Sequence, residues 1–343
     1  MTTIDFHLFQ VAAPTADEMT AAYAALHARL DAATSDDQRH AALRDWDAIR
    51  RRIETWEALV GLRFQQNTQD PAARAEREYA DGLRPKLTEL SVVLKRRFLQ
   101  PPLRSIVAQT YGDYVLALWE ADVLTFEPAI ADDLVAESKL EADYTDLLSS
   151  AKIDFRGSTC NLSEIVKYRE DANRDTRHDA EKARWSWFAA NRPALDSLYD
   201  QLVGLRTGMA RKLGFDDFIG LGYKRMKRVD YDQADVERFR ADVREHLVPL
   251  AVELRKLQAQ TLGVDRLRFW DEGVHDPRGN PAPQGDHDWM IDRATEMFDA
   301  MHPEIGGFFR LMNDAHLMDL KNRKDKAPGG FCTSFPDFGV PYI

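Results

Sequence analysis

Histidine, carboxylate and thiol groups are the parts of this chain that could do chemistry, and their spacing excludes most of it. The nine histidines, His7, His27, His40, His178, His246, His275, His287, His302 and His316, include no two that stand three or four residues apart. The H-E-x-x-H pattern, which sets two imidazoles one helical turn apart with a carboxylate between them, is therefore absent. Glu272-Gly273-Val274-His275 matches the E-x-x-H half of a carboxylate di-iron site. Such a site needs a second copy on a facing helix, whereas this lone copy lies among Gly273, Pro277 and Gly279. His275, Asp276, Asp286, His287 and Asp288 could gather a metal in the same stretch, although an acidic segment rich in glycine and proline is expected to be a solvated loop. Gly220-Leu221-Gly222 has Arg225 where a dinucleotide fingerprint needs its third glycine, and it follows no strand pattern. Cys332 as a nucleophile would need a positioned histidine that nothing signals. Cys160 and Cys332 are read as separate reduced thiols, Cys332 buried or half-buried.

The elements that position these groups are helices. With 44% hydrophobic and 30% charged residues over 343 positions, the chain falls in the globular range and has the length of about two domains. A net charge of -11 repels the phosphate backbone, so nucleic acid is not an expected partner. The triplets Arg50-Arg51-Arg52 and Lys95-Arg96-Arg97 sit inside helical patterns and are expected to be solvated helix faces. The opening Met1-Thr2-Thr3-Ile4-Asp5-Phe6-His7 lacks a cationic segment followed by an apolar run, and no stretch approaches the roughly 18 apolar residues of a membrane helix. No membrane association is expected, and the expected location is the cytoplasm.

Thr15 to Glu18 and Ser35 to Gln38 have the spacing of capping boxes. The first precedes the stripe Met19, Tyr23, Leu26 and Leu30. The second precedes Leu43, Trp46, Ile49, Ile53, Trp56, Val60 and Phe64. Asp70-Pro71 reads as an N-cap with proline at the first helical position. Pro101-Pro102 interrupts the pattern, which resumes from Val115 to about residue 150. Lys152–Phe155 and Thr159–Leu162 read as a hairpin turning at Arg156-Gly157-Ser158. Helices return from Thr176 to Gly214 and from Gln233 to Leu262, where Pro249 predicts a kink or a nearby turn, then over Trp289–Met301 and Phe308–Leu317. The segment Asp271–Asp288 is a loop. Gly329–Phe335 reads as a strand, Pro336–Gly339 as a turn, and Val340–Ile343 as the start of another strand.

The stretch from Leu213 to Ile343 resembles the oligoendopeptidase F and thimet-type oligopeptidase family. The resemblance rests on an ordered set: Gly214-Phe215, Gly222-Tyr223, Arg225 to Tyr231, Pro249-Leu250, Phe269-Trp270-Asp271, His302-Pro303-Glu304, Met318-Asp319-Leu320, Arg323, Lys326 and Gly329 to Cys332. Upstream, Leu124 to Pro128, Leu147 to Ile153 and Asn161-Leu162-Ser163 are similar to the family's helical N-terminal domain and its small hairpin.

This resemblance implies a mainly α fold, in which a multi-helix N-terminal domain precedes an incomplete zincin-like helical catalytic domain with a small β element at the C-terminus. The expected divisions are 1–110, an N-terminal bundle; 111–185, an oligopeptidase F N-terminal-type domain with the hairpin; and 186–343, a partial catalytic domain. It also implies a zinc metalloendopeptidase that cleaves short peptides. A complete member is expected to hold zinc through H-E-x-x-H. This chain, without that motif, is expected to bind none and to be inactive alone, unless a second chain supplies the zinc-binding helix. No catalytic or metal residue can be carried over. Backbone groups of Gly330, Phe331, Cys332 and Thr333 are the expected peptide-binding positions, through strand addition, with an ordinary core strand as the alternative. Tyr223 and Arg228 are expected to be packing or ion-pair positions. The alternative from another class is a non-catalytic helical peptide-binding or scaffold protein.

Overall fold

The longest apolar stripe of the N-terminal region becomes the spine of the molecule. The computed structural model describes residues 4–343; Met1, Thr2 and Thr3, part of the opening read above, lie outside them. Helix α1 (Ala16–Ala32) begins at Thr15, which caps the Glu18 amide. Helix α2 (Asp36–Gln66) begins at Ser35, which accepts from the Gln38 amide while the Gln38 side chain accepts from the Ser35 amide. The 31 residues of α2 span about 46 Å at 1.5 Å per residue. Helix α3 (Pro71–Phe98) is capped by Asp70. These three pack on one another, and the next two, α4 (Leu103–Tyr111) and α5 (Asp113–Leu124), close the same core. Tyr23, Leu43, Trp46, Leu94 and Phe98 meet Leu116 and Trp119 there, so the apolar cluster runs through residue 110 without a break.

Helix α6 (Ala131–Ser149) leads into strands β1 (Ile153–Phe155) and β2 (Ser158–Cys160), which pair antiparallel. Their turn is two residues, Arg156 and Gly157 at φ 50° and 80°, where the sequence suggested three. The hairpin packs on Ile165, just before α7 (Val166–Arg169), and on Ala180 of α8 (Arg174–Lys212). Gly214, at φ 81°, ends α8 in the left-handed conformation that a Cβ disfavours. Helix α9 (Phe218–Arg225) then returns to α5 and α8.

Pro249 shapes the next segment. Helix α10 (Gln233–Asp242) passes through a π turn at Val243–Leu247 into α11 (Val248–Thr261). The widened turn removes the need for the amide that Pro249 lacks, so the helix continues. The stripe Phe239, Leu247, Leu250, Leu254 and Leu257 is exposed rather than buried. Periodicity located the helix correctly, but among the described residues these side chains of its apolar face keep more than half their surface exposed.

Helices α12 (His287–Met301) and α13 (Pro303–Asp314) start earlier than their apolar residues suggest, because Asp286 and His302 cap them. Strands β3 (Thr333–Phe335) and β4 (Val340–Tyr342) form the second hairpin. The strand expected from Gly329 thus begins at Thr333; Gly329 has φ 93°, outside extended geometry. Phe335, Val340 and Tyr342 pack on Leu59 and Leu62 of α2, with Phe9 and Leu317. The spine therefore joins the N-terminal core to the C-terminal hairpin. The fold is mainly helical with two small antiparallel sheets, as the resemblance implied. Among the described residues, no helix is long and apolar enough to cross a membrane.

Five of the six residues in the basic triplets are held in ion pairs. Arg50 holds Asp47 and Glu54, Arg52 holds Glu18, Lys95 holds Asp122, Arg96 holds Glu127 and Arg97 holds Asp31. Arg50 finds its carboxylates one turn away on its own helix, whereas the partners of Arg52, Lys95, Arg96 and Arg97 come from other elements, a juxtaposition that local charge pattern does not reveal.

Candidate functional site

Beside the C-terminal hairpin lies a cavity of about 310 Å³. Gly330 and Phe331 form part of its rim, with Leu62 and Gln66 of α2, Asp319 and Tyr342 among its other walls. Of the four residues expected to face a peptide, these two line the cavity, while Cys332 and Thr333 lead away from it into β3. Thr333 is opposite Tyr342 in the hairpin. The backbone groups of Gly330, Phe331 and Cys332 have no backbone hydrogen-bond partner among the described residues. Strand β4, by contrast, is flanked on both edges. Beyond β3, the Ile343 amide donates to Leu317 O (3.0 Å) and the Asp319 amide donates to Ile343 O (2.7 Å).

Cys332 is exposed and Cys160 buried, which corrects the expectation of a buried or half-buried thiol at 332. The reason is the period of two: Phe335 turns into the core, and Cys332 shares the outward face with Ser334.

Asp319 organises the wall. Arg323 donates to both its carboxylate oxygens at 2.8 Å, Gln66 Nε2 donates at 3.0 Å, and Lys326 Nζ lies 3.1 Å away. Burial alone would raise the Asp319 carboxyl, but these donors outweigh it and hold it down to about 2. Gln66 also donates to the Tyr342 hydroxyl at 3.1 Å. Burial, reinforced by the Asp319 charge, pushes the Tyr342 phenol up to about 12. Lys326 further donates to Asp319 O and Lys321 O, tying down the loop that leads to Gly330. The motif residues Asp319, Arg323 and Lys326 thus shape the rim without offering an uncommitted acid or base.

A second buried clamp escaped the sequence reading. Asp271 is fully buried between Arg177, with Nη2 at 2.7 Å, and Arg174, with Nη2 at 2.8 Å, and it accepts from the Arg268 amide at 2.9 Å. Burial raises its carboxyl, but the bonds from Arg174, Arg268 and Arg177 hold it below its ordinary value. The two arginines lie 94 and 97 residues from it in sequence, beyond any local spacing signal.

The remaining candidates do ordinary work. His275 is exposed, Asp276 pairs with Arg278, Glu272 faces Arg255 at 3.4 Å, Asp286 caps α12, and Asp288 faces Lys321. Gly220 and Gly222 lie inside α9, not in a phosphate loop. Arg228 stacks over the Tyr223 and Tyr231 rings, at 4.7 and 5.6 Å, a packing role as expected. A larger cavity of about 450 Å³ beside α2, α3 and α6 is lined by charges that pair among themselves, such as Glu137 with Arg225 and Lys95 with Asp122. Among the described residues, one group brings three metal-ligand side chains together: Asp5, His7 and His316. None of the three lines the cavity at the hairpin.

Comparison with known proteins accounts for this arrangement. The Peptidase M3 N-terminal domain matches residues 6–126, and Peptidase family M3 matches residues 167–278. The structure of PZ peptidase A with an inhibitor superposes at a TM-score of 0.95 and 35% identity, covering 99% of this chain and 60% of that one. A structure named oligoendopeptidase F superposes at 0.96 with 36% identity, covering 99% of this chain and 60% of that one. A structure of the same name from Bacillus anthracis superposes at 0.94 with 32% identity, covering 99% and 62%. The chain spans about 60% of the length of these solved relatives. Comparison with curated proteins gives no match. Two family matches in order and near-complete superposition on three relatives place this chain in peptidase family M3, among the metallopeptidases of the oligoendopeptidase F type.

Proposed function

We propose that this polypeptide is the helical N-terminal region and the beginning of the catalytic region of a zinc-dependent oligopeptidase of the cytoplasm, and that it cleaves no peptide by itself. The observation that carries this reading is the superposition of 99% of the chain on oligoendopeptidase F, in a sequence with no two histidines at the H-E-x-x-H spacing. When bound in such an enzyme, zinc supplies a water acidic enough to attack a peptide carbonyl. The residues of this chain do not fit that centre, since among the described residues no helix carries two imidazoles on one face beside a carboxylate. A further segment or a second chain would have to bring it. The exposed apolar face of α10 and α11 is a suitable surface for such a segment, because the relatives contain additional chain with no counterpart here. An internally quenched peptide incubated with the purified chain, with and without added zinc, is expected to stay intact. Turnover that a chelator abolishes would refute this.

The unpaired backbone at Gly330, Phe331 and Cys332 favours a second reading, in which the chain binds extended short peptides along the entrance to β3 without hydrolysing them. Fluorescence anisotropy with a labelled pentapeptide tests it. Gly330→Pro removes one donor and is expected to weaken binding, whereas equal binding by the variant would exclude strand addition at this rim.

A further inference from the structure

The N-terminal segment crosses to the far end of the sequence and brings two histidines and a carboxylate together. The Phe6 amide donates to Ala315 O at 2.9 Å. The Phe6 ring is wedged among Phe9, Phe335 and Tyr342, with centroids 4.7 to 6.0 Å away. This anchor fixes Asp5 and His7 on either side of Phe6, opposite His316. Asp5 Oδ1 accepts from the His7 amide at 3.0 Å and lies 3.3 Å from His316 Nδ1. The two imidazole rings are 4.7 Å apart, tilted by 46°. One ligand atom from each of the three residues lies within 4.8 Å of the others. His316 is held at φ 55°, in the left-handed region that β-carbon sterics disfavour, so the turn after α13 aims its ring at the N-terminal segment at some conformational expense.

We infer that Asp5, His7 and His316 form a surface site for one borderline transition-metal ion, of the zinc or nickel class, which staples the N-terminal segment to the end of α13. Two imidazoles and a carboxylate are the donor set such ions select over calcium or magnesium. Ligand atoms about 2.0–2.1 Å from a tetrahedral ion lie about 3.4 Å apart. The present spacing needs a contraction of the order of 1 Å, well within rotamer adjustment because both histidine side chains reach solvent. Three protein ligands leave one position for water. No general-base carboxylate follows from the geometry, so the role is structural: bound metal favours the docked N-terminal segment over the open one. The site is independent of whether a peptidase centre is completed elsewhere.

The test uses the full chain, stripped with chelator and titrated calorimetrically with zinc and, separately, nickel. The expected result is one ion per chain. His316→Asn, which keeps a residue tolerant of the left-handed conformation, and His7→Asn are each expected to weaken binding by about tenfold or more, since losing even an outer partner of a metal ligand costs that much. His275→Asn and His287→Asn are expected to bind as the parent does. Cobalt should give the visible bands of a low-coordinate site that disappear in His316→Asn, with circular dichroism confirming that each variant is folded. No stoichiometric binding by the parent, or unchanged binding in both His7→Asn and His316→Asn, overturns the assignment.

Discussion

Asp271→Ala offers the most demanding test of how the helices after residue 170 are held. Asp271 is 0% exposed and Arg177 is 3% exposed, so their mutual charge is almost unscreened by water. Arg177 also donates to Trp270 O, Asp171 O and Ala172 O, at 3.2, 2.8 and 3.0 Å. Those bonds keep the guanidinium in place when its counter-charge is removed, so the variant retains a buried cation with nothing to balance it. Breaking a buried pair in this way costs about 3–5 kcal/mol. Urea titrations of the parent and of Asp271→Ala, compared by linear extrapolation, measure it. The pair also predicts coupling. Arg177→Met alone leaves the buried carboxylate with Arg174 as its remaining cation, whereas Asp271→Ala with Arg177→Met removes both buried charges. The double variant is therefore expected to be more stable than the sum of the single losses by about 2 kcal/mol. The pH dependence has a definite sign. The folded-state pKa of Asp271 lies below its ordinary value of 3.8, so its contribution is fully present above about pH 4 and fades as pH falls through the folded value. The gap between parent and Asp271→Ala should be flat from about pH 5 to 7 and narrow under stronger acid. A loss below about 1 kcal/mol, or additivity of the two single variants within about 0.5 kcal/mol, would refute the reasoning.

Glu137→Gln removes the charge that Arg206 and Arg225 share. Because those arginines keep about 30% exposure and can rehydrate, the loss should be nearer 2 kcal/mol, read as a lowered melting temperature with faster amide exchange in α9. Asp319→Asn weakens the grip of Arg323 and Lys326, so limited trypsin digestion should cut after Arg323, Lys324 or Lys326 faster than in the parent. The same loop in the parent should stay protected as pH falls from about 4 and loosen only towards the Asp319 value of about 2. Tyr342 should ionise only near pH 12 in an ultraviolet titration, well above the ordinary tyrosine value of 10.

The helices were legible because they meet the two conditions under which sequence is informative: a cap at the start and a stripe that finds a core. In α2 both hold, and Leu43, Trp46, Ile53, Trp56, Val60 and Phe64 are buried as their spacing predicts. In α11 only the period holds, and the stripe lies exposed because burial depends on a neighbour that periodicity does not specify. Short strands carry less information still. Three residues are too few to show alternation, so Gly329 to Cys332 read as strand although φ 93° at Gly329 places the strand's start later.

What the sequence hid most completely is also what shapes the candidate site. The Asp271 and Asp319 carboxylates belong to motif stretches that the family resemblance singles out, and both turn out to be saturated by cations and amides. A motif acid of that kind is a poor proton acceptor, because the donors that lower its pKa also occupy its lone pairs. What it fixes is backbone: Lys326, bonded to Asp319 O and Lys321 O, sets the course of the chain into Gly330, whose amide has no backbone partner among the described residues. The same residues therefore read as chemistry in one dimension and as scaffolding in three. The feature of this rim available to an extended peptide is the unpaired main chain from Gly330 to Cys332, which side-chain motifs cannot encode.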